Sequence, residues 1–331
     1  VFNYLVRRTL TGLLTLWLVT FLIMAIIRNM PGDPAALQAM GSGESAQDST
    51  ATEELIKEMR ASYGLDRPWY EGYATWMRNL FHGDLGRSLY DKKPVTERIG
   101  ERAGATLILS LLSILITYGL TIPFGLYMTA KNGKWQEQVL SSGFYVLYSI
   151  PNYVAGLYLI LLFAVRLDVL PLRGVTSDPE VYAALPLWGK ALDVLKHVAM
   201  PLFCYTFVGL AFYARFVRAT MLEVVRQDFI RTARAKGVSE PVVFYRHAFR
   251  NALIPLCTLI GLALPGLLAG SVLIEKIFNW PGMGRLFLEA ITQRDYPVIM
   301  GLVLTFAVLV QAGSLLSDVL YAVVDPRITY S

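Results

Sequence analysis

Asp228-Phe-Ile-Arg-Thr-Ala-Arg-Ala-Lys-Gly237 lies between two long apolar stretches, and its reading governs the rest of the chain. Arg231, Arg234 and Lys236 make it basic, and it closes on a glycine. A second short run follows, from Ser239 to Asn251-Ala-Leu-Ile-Pro255. Met221, Leu222, Val225, Phe229 and Ala233 recur at three- and four-residue steps, which predicts one helix from Arg218 to Lys236. Gly237 can take a left-handed conformation and end it. Ser239 is placed to cap the next helix, with Pro241 just inside. Two short charged helices joined by a sharp turn, held between membrane spans, form a docking surface beside the bilayer.

The composition supports that setting. Of 331 residues, 55% are hydrophobic and only 17% charged, and mean hydropathy is +0.47. Soluble domains are nearer a quarter charged, so a polytopic membrane protein is expected. The basic balance does not imply nucleic acid, because lysine and arginine gather at the ends of apolar runs. Cys204 and Cys257 fall inside apolar runs and read as small buried hydrophobes rather than a disulfide framework. His82, His197 and His247 stand at no metal-ligand interval, so no metal site is expected.

Six windows have the length a bilayer demands: Thr9 to Ile27, Ala103 to Ala130, Gln138 to Val165, Val198 to Ala214, Asn251 to Ile274 and Tyr296 to Ser317. Backbone groups in lipid must be satisfied within the segment, so these are helices, and the fold class is an all-α membrane protein. The first window reads as a retained anchor rather than a cleaved signal, since no small-x-small site follows it. With six spans, Arg7, Arg8, Lys131, Lys134, Arg327 and the basic loop share one side, taken as cytoplasmic, as are both termini.

The implied organisation is a tail and first span over 1–30, an external helical lobe over 31–102, a five-helix core over 103–324 containing a cytoplasmic loop at 219–250, and a tail over 325–331. Within the lobe, Ala39 to Thr50 reads as a mobile linker. Thr52 to Ser62 reads as a helix, Pro68 opens a second one carrying Trp69, Tyr73 and Trp76, and Pro94 opens a third through Val95 and Ile99. Pro123, Pro151 and Pro265 are expected to kink their spans. Gly266-Leu-Leu-Ala-Gly270 has the spacing of a close helix contact.

Catalytic constellations are missing from the sequence. It has no H-E-x-x-H and no G-x-S-x-G, and Gly133-Lys134 lacks the rest of a phosphate-binding loop. Glu275 and Asp318 fall at span ends and read as solvated or capping groups. No catalytic residue and no resident cofactor are therefore expected, and any ATP must be hydrolysed by partners. A secondary carrier would show internal repeats or intramembrane acids, and neither stands out.

Arg231-Thr-Ala-Arg-Ala-Lys-Gly237 followed by His247-Ala-Phe-Arg-Asn-Ala-Leu-Ile-Pro255 resembles the coupling loop of bacterial binding-protein-dependent ABC importer permeases, in the dipeptide/oligopeptide branch. Arg231 stands where the wider family has a glutamate, and the glycine-to-proline interval is long; the peptide branch shares both departures. Pro31-Gly-Asp-Pro34, Tyr63-Gly-Leu65, His82-Gly-Asp-Leu-Gly86, Ser149-Ile-Pro-Asn152, Ile277-Phe-Asn-Trp-Pro-Gly-Met-Gly284, Arg294-Asp-Tyr-Pro297 and Asp325-Pro-Arg-Ile328 match the same branch in order, over nearly the whole chain.

The resemblance implies a type I ABC importer permease architecture of six transmembrane helices in the bacterial cytoplasmic membrane. It implies four kinds of partner: a second homologous permease, two ATPase subunits that bind ATP and Mg, an external substrate-binding protein, and the peptide cargo itself. Chelated nickel, glutathione and oligosaccharide are alternative cargoes, and an independent channel or secondary carrier is the reading of another class. Arg231, Thr232, Ala233, Arg234, Ala235, Lys236, Gly237, Val242, Phe244 and Tyr245 would form the ATPase-coupling surface. Polar and aromatic groups inside the spans are candidates for the translocation pathway: Tyr118, Asn152, Tyr153, Tyr205, Ser271, Gln311 and Ser314. Each of these also reads as a packed or interhelical hydrogen-bonding group.

Overall fold

Long apolar runs broken by short polar punctuation fold into helices, each satisfying its own backbone. The computed structural model describes residues 2–36, 49–62, 64–253, 255–256 and 271–324. Among these there is no strand, only an isolated antiparallel bridge between Arg87 and Pro94. In chain order the main helices are α1 (Phe2–Asn29), α2 (Ser49–Ser62), α3 (Trp69–Phe81), α4 (Val95–Ala130), α5 (Trp135–Ser149), α6 (Asn152–Leu159), α7 (Pro179–Ala184) and α8 (Leu187–Val224). They continue with α9 (Asp228–Ala235), α10 (Glu240–Val242), α11 (Val272–Ile277), α12 (Met283–Gln293) and α13 (Tyr296–Val324). π-helical turns extend α6 over Ile160–Arg166 and α10 over Val243–Ala248.

Four helices among the described residues are long and apolar enough to cross a bilayer, within α1, α4, α8 and α13. The predicted span Gln138 to Val165 is not one straight helix. α5 and the α6 segment meet at a bend of 93°. Pro151 has no N–H to continue the ladder and disfavours helical geometry at Ile150, which is extended (φ −89°, ψ 119°). By contrast Pro123 lies inside α4 without ending it. The predicted span Asn251 to Ile274, with Cys257, Pro265 and Gly266 to Gly270, lies largely outside the described residues, as do the linker around Gly41, Tyr63 and the tail from Asp325.

Two other elements differ from expectation. The short window Val198 to Ala214 is the centre of a 38-residue helix, α8, roughly 57 Å long and well beyond a hydrocarbon core of about 30 Å. Lys190, Asp193, Lys196 and Arg215 end the apolar window but not the helix. The helix expected after Pro94 is the first turn of α4 rather than a separate element.

The chain forms two compact units. One is Val1–Gly104 with Gly282–Gln311, and the other is Ala105–Pro281 with Ala312–Thr329. In the first, α3 is fastened to α1 by Tyr73, whose hydroxyl lies 3.0 Å from Thr20 Oγ1. Phe21 packs edge-on against Trp69 and Tyr73 at 5.1 and 5.4 Å. In the second, α8 is the central helix. Gly125 of α4 lets Val217 approach so closely that a Cβ there would fall 2.5 Å from Val217 Cγ1.

Candidate functional site

The basic loop is two helices, not one. α8 ends at Val224, a turn spans 225–227, and α9 restarts at Asp228. The interruption advances the helical phase by one residue. Phe229, predicted on the buried stripe, is 44% exposed, while Ile230 is fully buried. Ile230 enters a core with Tyr118, Leu126, Val217, Met221 and Val243. Full burial of an isoleucine contributes about 1.5–3 kcal/mol, enough to hold a helix this short against its neighbours.

Around that anchor the outward face stays open. Arg231, Thr232, Arg234, Ala235, Lys236 and Gly237 are exposed, and Ala233 packs partly inward. Gly237 adopts φ +77°, and no atom lies within 4 Å of a Cβ built there, so its constraint is backbone conformation and not crowding. Across this turn Arg234 grips Glu240 with both ends of its guanidinium, at 2.7 and 3.3 Å. Arg231 lies 3.4 Å from Asp228. Ser239 occupies the cap position of α10, but its side chain makes no capping bond. Val242 and Tyr245 are exposed, and Phe244 packs partly on the core formed around Ile230.

A second linkage lies beside the loop. Arg218 Nη2 of α8 reaches Glu137 Oε1 of α5 at 3.0 Å and Asn132 Oδ1 at 3.1 Å. Ser141 Oγ donates to the same Glu137 oxygen at 2.7 Å. Glu137 is 6% exposed, and the sequence offered no periodic signal for it.

The predicted pathway residues divide. Tyr205 and Ser271 meet: the Ser271 N–H donates to the Tyr205 hydroxyl, which donates to Glu275 Oε1 at 3.2 Å. Thr106 donates to that oxygen at 3.0 Å. Glu275 is completely buried, contrary to the expectation of a solvated or capping group at a span end. Its burial is tolerable because hydroxyls from α4 and α8 satisfy it. Tyr118 packs on Tyr213 at 5.0 Å. Gln311 lies against Gly12, where a Cβ would be 3.4 Å from its Oε1. Asn152 begins α6 at the 93° bend, with Tyr153 beside it and 41% exposed. Ser314 is partly buried on α13.

In the first unit Asp295, within the Arg294 to Pro297 motif, is fully buried. It accepts from Ser88 Oγ, from Leu89 N at 3.0 Å and from Arg98 Nη1 at 3.2 Å. Asp91 lies 3.5 Å from the same arginine. Burial pushes the Asp91 carboxyl upward, but hydrogen bonds from Lys93 and Ser88 and the charge of Arg98 outweigh it, leaving the carboxyl below its ordinary range. Gly32 adopts φ +103°, a conformation that favours glycine, and lies against the guanidinium of Arg294, with a Cβ there 2.5 Å from its Nη2. A Cβ at Gly86 would lie 3.5 Å from Pro297 Cβ, so Pro31 to Pro34, His82 to Gly86 and Arg294 to Pro297 are parts of one unit.

The sequence family described as the binding-protein-dependent transport system inner membrane component matches residues 121–330. Its N-terminal counterpart matches residues 1–110. The chain belongs to this family. Among its relatives is the oligopeptide transport system permease protein AppB of Bacillus subtilis (strain 168), 38% identical over 328 residues and 99% of both chains. The dipeptide transport system permease protein DppB of Escherichia coli (strain K12) is 35% identical over 326 residues, 94% of both. The glutathione transport system permease protein GsiC of Escherichia coli O6:H1 is 35% identical over 328 residues, 99% of both. The inward-facing MetNI methionine ABC transporter has a chain that matches at a TM-score of 0.54 and 15% identity, covering 70% of this chain and 97% of that one. That likeness establishes the importer fold for this multi-pass membrane component.

Proposed function

We propose that this permease moves dipeptides or oligopeptides into the bacterial cell by alternating access, driven by ATP that partner subunits bind and hydrolyse with Mg. A second permease subunit, two ATPase subunits and an external binding protein complete the assembly. In this reading both termini, the tail over 325–331 and the loop over 219–250 face the cytoplasm. The lobe over 31–102 is external, and residues 103–324 carry the passage. AppB and DppB, whose names specify oligopeptide and dipeptide transport, support the cargo.

One observation carries the coupling role: Ile230 is locked into the core while the basic ridge from Arg231 to Gly237 is presented outward. A partner that displaces α9 must drag Ile230, and with it Met221 and Val217 of α8 and Tyr118 of α4. The bundle is then a two-state element biased by nucleotide at a distant site. Lys236, exposed and without an ionic partner among the described residues, is the free cation of the ridge.

The test is affinity purification from membranes in mild detergent with mass spectrometry, paired with uptake of labelled dipeptide, oligopeptide and glutathione. Recovery of a second permease and P-loop ATPases, with peptide uptake, is the expected result. A stable chain recovered alone would return the independent channel or carrier, and glutathione uptake without peptide uptake would move the cargo to that of GsiC.

A further inference from the structure

Beside α3 the first unit encloses a cavity of about 250 Å³. Gly72 of α3 borders it, and a Cβ built at Gly72 meets nothing within 4 Å. A glycine inside a helix is destabilising relative to alanine, and here no neighbour forbids a side chain. The residue keeps volume free instead of permitting close packing.

The chemistry of the walls is one-sided. Met24, Leu85 and Met300 are apolar, and Arg28 and Arg67 bring two positive charges. No carboxylate is among the described residues that line it; Asp66, outside the lining, lies near enough to act on Arg28. Arg28 uses Nη2 on the carbonyls of Gly64 and Arg67, at 3.0 and 2.8 Å, leaving Nε and Nη1 without a hydrogen-bond partner among the described residues. Arg67 makes no ion pair among the described residues. Trp76 also lines the cavity, and its buried Nε1 donor has no acceptor among the described residues. An adjoining cavity of about 270 Å³ shares Arg28 and Arg67; its one carboxylate, Asp33, is already paired with Arg60 at 2.6 Å. A space with surplus guanidinium charge and an apolar wall suits a small anion with an apolar body. At about 30 Å³ per water it has room for a single amino-acid-sized group and no more.

We propose that this cavity binds a small carboxylate bearing an apolar group, the chemistry of the C-terminal residue of a short peptide. The identification with peptide rests on the cargo reading above; the carboxylate site itself does not. Arg67 supplies the charge, Arg28 orients it, and the space beside Gly72 holds the apolar part.

The full chain in nanodiscs of neutral phosphatidylcholine, titrated calorimetrically with N-acetyl-L-leucine and with N-acetyl-L-leucinamide, tests this. Saturable binding of the acid, with the amide at least roughly tenfold weaker, is expected from loss of a charge-assisted contact. Gly72→Leu fills the space and should abolish binding, and Arg67→Gln, an exposed change, should weaken it at least roughly tenfold. Equal affinity for acid and amide, or binding unchanged in both variants, overturns the site. Displacement of the acid by phosphatidylglycerol added to the nanodisc assigns the cavity to lipid and overturns it too. Peptide uptake by the assembled importer is measured separately: intact uptake without probe binding removes only the cavity, and probe binding without peptide uptake removes only the cargo.

Discussion

Arg218 Nη2 lies 3.0 Å from Glu137 Oε1, joining α8 to α5 one helical stretch before the exposed basic turn. The carboxylate is 6% exposed, so removal of its partner leaves a charge that water cannot reach. Arg218→Ala should lower the stability of the purified chain by about 1–3 kcal/mol, and the double variant with Glu137→Gln should recover part of that loss. Thermal unfolding in detergent of the single and double variants measures the coupling; additive losses would show that the pair does not act as one.

Gly237 is held at φ +77° with open space around it. Gly237→Val should therefore strain the backbone by about 1–2 kcal/mol without a clash, whereas Gly237→Asn tolerates this region. Gly237→Val is expected to keep normal membrane insertion but lose co-purifying ATPase and uptake, and Gly237→Asn to regain both. Normal assembly and uptake with valine would remove the turn from the coupling role, and Gly237→Asp is expected to behave as valine does for assembly because of its added charge in a basic ridge.

Asp295→Asn preserves size but replaces an acceptor oxygen and the charge that Arg98 faces. A loss of about 1–3 kcal/mol is expected, concentrated in the segment from Ser88 to Pro94 that Asp295 holds. Limited proteolysis should cut this segment faster in the variant than in the parent chain.

The depressed Asp91 carboxyl gives that segment a pH dependence. A folded-state pKa below the unfolded one contributes stability that is fully present above the unfolded value, about 4, and is lost as pH falls through the folded value. Protection from hydrogen exchange in Ser88 to Pro94, taken relative to the intrinsic amide rate at each pH, should be high at neutral pH and fall below about pH 4. Asp91→Asn should flatten this response; a dependence that survives the substitution would place its origin elsewhere.

Much of this was legible in sequence because apolar length and helical period are local properties. Thr9 to Ile27 and Tyr296 to Ser317 lie inside α1 and α13, and Trp69 opens α3 just after Pro68. The failures have a common cause. The break at 225–227 carries neither glycine nor proline, so the helical period runs through it in the sequence and points Phe229 inward in place of Ile230. Lys190 and Lys196 ended a hydropathy window but not a helix. Glu275, Asp295 and Glu137 sit in partnerships with residues distant in sequence, and a single chain read locally gives no sign of them.

The 93° elbow at Ile150 and Pro151 has a consequence for how this segment tolerates change. One residue inserted into a straight helix turns everything beyond it by about 100°. Inserted in α6, that rotation stops at the corner, and α5 keeps its seat on α8 and its grip on Arg218. The corner therefore lets the two arms of this chain vary in length independently.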